Sequence, residues 1–180
     1  MKKLFYLTSL LLITQVTGCI VFHSVSYEVN VNDDGTGTAL LTIEDINSDG
    51  TTKEAIDEDV KNIMEYALTS KEFIDGLEAE GKSKVSRNIF IEKEKLNATV
   101  SYWFVEISRV EGMQFEDPYY YLTIPVEDSI ISTNGQITKT SEYKRIVWDK
   151  SIKTLKFKMY SDDTNRAGLT SLTPYYLKEN

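Results

Sequence analysis

Polar and apolar residues alternate along much of this chain, and the alternation sets the first expectations. In residues 24–32, Val25, Tyr27, Val29 and Val31 fall between polar neighbours, the period-two mark of a half-buried strand. The stretch NDDGTG separates it from TALLTIE at residues 38–44. The pair is predicted as a hairpin closed by a glycine-containing turn. From Lys84 onward the same period predicts strands over 85–92, 97–107 and 119–126, with a turn or short helix at 108–114. Asn134-Gly135 stands between alternating residues in IISTNGQIT, and Asn-Gly is the strongest short-range hairpin signal. YKRIVWDKSIKTLKFKMY reads as one more hairpin, with Leu155, Phe157 and Met159 inward and Lys156 and Lys158 outward.

Between the first hairpin and these later strands the period changes. Ile56, Val60, Ile63, Met64, Ala67 and Leu68 recur at spacings of three and four, one apolar helix stripe. Thr51 with Glu54 fits a capping box, and Thr69 with Glu72 repeats it before Phe73, Ile74 and Leu77. The second helix should stop at Gly81. Asp57, Glu58, Asp59, Glu65, Asp75 and Glu78 fall mostly off the stripe. Thr173-Pro174 is a helix start, with Tyr175, Tyr176 and Leu177 available to dock. The fold class expected is α+β: a largely antiparallel sheet built from hairpins, with two helices inserted after the first hairpin and packed on one face.

The first residues follow a different logic. Lys2 and Lys3 precede a mostly apolar run, Leu4 to Val16, and then small residues. That is the layout of a secretory signal peptide, and the run is too short for an ordinary membrane span. Val16-Thr17-Gly18-Cys19 resembles the lipobox of bacterial lipoproteins, with Thr17 where that family more often has Ala or Ser. The resemblance implies cleavage before Cys19, a diacylglyceryl group on its sulfur, and an acyl chain such as palmitate on its amino group. Two or three chains hold a protein on a membrane where one does so only marginally. The organisation expected is a signal peptide at 1–18, a lipidated anchor and short tether at 19–24, and a single α+β domain at 25–180. With no Ser/Gly-rich tether, the domain should sit within about 20–25 Å of the bilayer surface.

An alkylated Cys19 removes most familiar chemistry. It is the only cysteine, and His23 is the only histidine. No thiolate remains for His23 to activate, and serine triads and zinc sites lose their usual parts. His23 reads as a headgroup-level or edge residue. The mature 162 residues carry 18 basic and 28 acidic groups, which argues against nucleic acid as a partner. Residues 33–80 carry a balance of −11 and residues 136–160 one of +5. The simplest account is a solvated helix face and lysines guarding a strand edge. Alternatively, Lys150, Lys153, Lys156 and Lys158 lie against anionic headgroups while the acidic helices point away.

Three other patterns touch on chemistry. Asp45, Asn47, Asp49 and Gly50 match the first half of a calcium loop, but Ile56 stands where the bidentate Glu belongs, so a turn and helix entry is preferred. Glu92 and Glu106 are the first suspects for a glycan-hydrolysing carboxylate pair, though no pair stands out. Tyr119–Tyr121, Trp103 and Trp148 could face sugars or peptides, with core packing preferred and Tyr120 opposite to Tyr119 and Tyr121.

The expected function is therefore that of an exported, membrane-anchored envelope lipoprotein, a non-enzymatic binding or assembly module near the bilayer surface. A glycan-binding or carboxylate-based glycan-hydrolysing domain is the alternative. Cys19 is the lipid-attachment residue, and no catalytic, cofactor-binding or metal-binding residue is assigned. The expected partners are a membrane through the lipid, and another envelope protein or a glycan. Without acidic residues just after Cys19, the expected address in a cell with two membranes is the periplasmic face of the outer one.

Overall fold

The computed structural model describes residues 19–160 and 168–179, so the expected signal peptide lies outside the described residues. The chain opens with β1 (Ile20–Val21), β2 (Ser24–Val31), β3 (Gly37–Glu44) and β4 (Asn47–Ser48). Helices α1 (Lys53–Lys61) and α2 (Lys71–Ala79) follow, joined through a π-helical stretch at Asn62–Ala67. Next come β5 (Lys82–Glu92), β6 (Lys95–Phe104), a 3-10 turn at Ile107–Arg109, β7 (Gln114–Glu116) and β8 (Tyr119–Pro125). The last part holds β9 (Ile130–Thr133), β10 (Gln136–Lys139), β11 (Tyr143–Asp149), β12 (Thr154–Tyr160), β13 (Thr170–Ser171) and α3 (Thr173–Glu179). The fold is α+β, with antiparallel sheets and its first two helices directly after the first strands.

The strands form three sheets, ordered β5-β6-β3-β2-β12-β9, β10-β11-β8-β7 and β1-β4-β13. Alternation decides what each face does. Val25, Tyr27, Val29 and Val31 of β2 lie opposite Ile43, Leu41, Ala39 and Gly37 of β3, all on one face of the six-stranded sheet. Over part of that face pack Tyr120, Leu122, Ile124, Ile146 and Trp148 of the four-stranded sheet, forming the larger core. A second core of Ile46, Val60, Ile63, Met64, Ile89, Leu96 and Leu172 lies under the helices. Arg87 on β5 donates to the carbonyls of Ala67 and Ser70, both at 2.8 Å, and so clamps the helical layer onto the sheet.

Two expected hairpins become connections between sheets. Ile130–Thr133 pairs with β12, whereas Gln136–Lys139 pairs with β11. Asn134-Gly135 is therefore a crossing point rather than a two-residue turn. Space, not a left-handed backbone, calls for this glycine: a Cβ there would lie 2.7 Å from Ile146 Cγ2 and 2.7 Å from Trp148 Nε1. Likewise β11 joins the four-stranded sheet and β12 the six-stranded one. Their facing is as expected, with Leu155 and Phe157 buried and Lys156 exposed.

Both helix starts fall one residue beyond the expected caps. Thr52 and Ser70 are the N-caps, accepting the N–H groups of Ala55 and Phe73 at 3.2 Å. Thr69 instead donates its hydroxyl to Glu65 O at 2.6 Å, where the π-helical stretch ends. The stop near Gly81 holds, with that glycine at φ +82° just past α2. Asp59 departs from the exposed acidic face: it is buried and accepts the hydroxyl of Ser48. At α3, Tyr175 and Tyr176 dock on the second core, but Leu177 stays 65% exposed.

Candidate functional site

The strand registers give the molecule two poles. At one end of β2, Ser24 lies opposite Glu44 and Tyr160; at the other, Val31 lies opposite Gly37. Eight residues of strand put about 25 Å between them.

Cys19 belongs to the first pole. Residues 19–24, read from the sequence as anchor and tether, contain β1, whose Ile20 and Val21 pair with Ser48 and Asn47 of β4. Cys19 is exposed; its N–H donates to the Asp49 carboxylate, and its carbonyl accepts the Asp49 N–H at 3.1 Å. His23 donates its backbone N–H to Glu44 O at 2.8 Å, and its ring rests 5.2 Å from that of Tyr160. It sits in the bend that enters β2, on a separate aromatic contact.

The calcium-like spacing does not gather its oxygens. Asn47 is part of β4, the Asp45 carboxylate meets Lys95 at 2.9 Å, and that of Asp49 meets the Cys19 amide. Among the described residues, no three His, Cys, Asp or Glu side chains converge in a metal-holding group.

The opposite pole carries an open cleft of about 740 Å³. The turn after β2 brings Asp33, Asp34 and Gly35; the end of β6 brings Val105, Glu106 and Ile107. Phe115 and Asp117 on or beside β7, Asp149 at the end of β11, and Lys150, Ser151 and Lys153 after it also line the cleft. Phe115 is 47% exposed and its ring lies 4.8 Å from that of the buried Tyr120, so an apolar aromatic floor sits inside a charged rim.

Local bonds favour the charged form of four rim groups. Hydrogen bonds from Thr36 lower the Asp34 carboxyl, and hydrogen bonds from Ser151 lower that of Asp149. Hydrogen bonding to Asp117 raises the Lys150 ammonium, and hydrogen bonding to Asp33 raises that of Lys153. The ion pairs measure 2.6 Å and 2.8 Å. Among the described residues, five carboxylates against two lysines leave the cleft net negative.

The suspected carboxylates do not meet. Glu106 is in this cleft, 3.3 Å from the Ser108 hydroxyl, whereas Glu92 lies at the opposite end of the β5–β6 pair. The four lysines do not form a free basic face either. Lys150 and Lys153 are paired in the cleft, while Lys156 meets Glu28 at 2.7 Å and Lys158 meets Glu44 at 2.6 Å. They run from one pole to the other. Helix α1 packs beside Ile46 and Leu96 at the Cys19 pole, whereas α2 leads to the other end of the sheet, where Lys82 pairs with Phe104.

The aromatics divide as alternation demands. Tyr120 and Trp148 are core residues. Tyr121 and Tyr143 face outward, with the Arg145 guanidinium 4.5 Å and 5.2 Å from their ring centres. Phe115 was not among the sequence candidates. A single exposed aromatic in a three-residue strand carries no periodic signal, and its neighbours in the cleft come from distant segments.

No protein-family model, curated protein or solved structure matches the chain. The functional reading therefore rests on the residues themselves.

Proposed function

We propose that this chain is an exported bacterial lipoprotein, held to its membrane by a lipidated Cys19, that acts as a non-enzymatic binding module. One observation supports it above the others: Cys19 is tied into the folded body, its N–H and carbonyl both bonded to Asp49. Lipid on that sulfur would hold the body against the bilayer with almost no slack. The cleft would then open about 25 Å further out, toward other envelope components.

The cleft's chemistry favours a partner carrying cationic and apolar groups together. Carboxylates at the rim would attract the charge, and the exposed face of Phe115 would take an alkyl stem or a guanidinium. Glycan hydrolysis draws less support. Acid–base work needs two available carboxyl groups on either side of the bond, and here Asp33 and Asp117 are ion-paired while Asp34 and Asp149 accept local hydrogen bonds.

A photoreactive residue at Phe115, with one at Gln136 as control, tests the proposal in intact cells. Capture of a discrete envelope partner from Phe115 alone, lost in the Cys19→Ser protein and reduced at high salt, is expected. Equal capture from both positions, or capture unaffected by Cys19→Ser, would contradict it.

A further inference from the structure

Beside Cys19 lies a cavity of a different kind. It encloses about 180 Å³, and its wall is nearly all hydrocarbon, drawn from β1, β3, β5, β6 and the helical layer. Ile20 and Phe22 line it, while Val21 between them turns the other way and is buried. The guanidinium of Arg87, the one charged group in the wall, is already engaged by the carbonyls of Ala67 and Ser70. A wall of this kind offers water few bonds and favours apolar guests.

We propose that this cavity seats the end of one acyl chain carried by Cys19, an inference that rests on the lipoprotein reading above. Position argues for that occupant. Ile20 is the residue next to Cys19, is 37% exposed and lines the cavity, so the lipid's point of attachment is one residue from the wall. The bonds from Cys19 to Asp49 fix that point against the fold. Size agrees as well: at about 30 Å³ for a water-sized group, the space holds about six methylene-sized units. That is part of a fatty acyl chain, leaving the remaining chains for the bilayer. A seated chain would fix the body's tilt on the membrane.

The π-helical stretch fits the same picture. Ile63 and Ala67, both within it, face the cavity.

Cells fed a palmitate analogue with a diazirine near its methyl end supply the test. After irradiation of the full-length protein in membranes, peptides from residues 62–73 or 87–100 joined to the Cys19 lipid are expected. Ala67→Phe, which fills the space, should reduce that joining at least tenfold while the protein stays in the membrane fraction. Should the analogue enter Cys19 yet cross-link only to bilayer lipid, the cavity proposal is overturned and the anchor stands. Should no analogue reach Cys19, both fail.

Discussion

The indole N–H of Trp148 donates to Oδ1 of Asn134 across 2.8 Å, and the same oxygen accepts the backbone N–H of Lys156, also at 2.8 Å. The amide nitrogen of Asn134 in turn donates to Thr154 O at 2.8 Å. One side chain thus fastens β11 to β12 where the chain passes between sheets. Removing it leaves the fully buried Trp148 with an unmet donor. Asn134→Ala is therefore expected to cost about 2–3 kcal/mol in urea unfolding, and Asn134→Asp, which keeps an acceptor, distinctly less. Gly135→Ala should also destabilise, because its Cβ would press on Ile146 and Trp148.

Two buried tyrosines should respond oppositely to loss of the hydroxyl. Burial raises the Tyr27 phenol far above its ordinary pKa, and the nearby Glu111 carboxylate adds to the effect. The Tyr102 hydroxyl is buried with no hydrogen-bond partner among the described residues. Tyr102→Phe should leave stability unchanged or raise it by up to about 1 kcal/mol, whereas Tyr27→Phe should lower it by a similar amount. Equal losses in thermal unfolding would contradict the assignment.

Glu44 gives the fold an acid-sensitive component. Burial pushes its carboxyl upward, but hydrogen bonds from Lys158 and Ser24 outweigh that and hold it below the ordinary value. A carboxyl lowered by folding stabilises the native state above its unfolded pKa. That contribution is lost as pH falls through the folded value. Lys158→Met should make Glu44 titrate higher by NMR and flatten the fall in melting temperature between about pH 5 and 3. An unchanged slope would mean the pair adds nothing.

Breaking the buried contact between Ser48 and Asp59 tests how α1 is docked. The Ser48 hydroxyl donates to Asp59 and accepts the N–H of Gly50 at 2.9 Å. Ser48→Ala strands both partners and should cost about 2 kcal/mol, whereas Thr52→Ala, which removes an exposed cap, should cost about 1 kcal/mol.

Strands were legible because each buries one side, so Val29 or Phe157 announces its facing by alternation alone. Pairing was less so. Asn-Gly is selected both by tight turns and by close approach of backbone to a neighbour, and at Asn134-Gly135 the second reason governs. Helix caps slipped by one residue because Thr51-Thr52 and Thr69-Ser70 each offer two adjacent hydroxyls. The cleft around Phe115 was beyond sequence reasoning, since folding alone gathers Asp33, Glu106, Asp117 and Lys150 from four separate connections. Cys19 was legible as a candidate because its signal is local.

The whole account turns on what that sulfur carries, and mass spectrometry of the amino-terminal peptide from the native protein reads it directly. The account predicts a chain that begins at Cys19 and bears a diacylglyceryl group. A free thiol at Cys19, with residues 1–18 still attached or trimmed elsewhere, would contradict it.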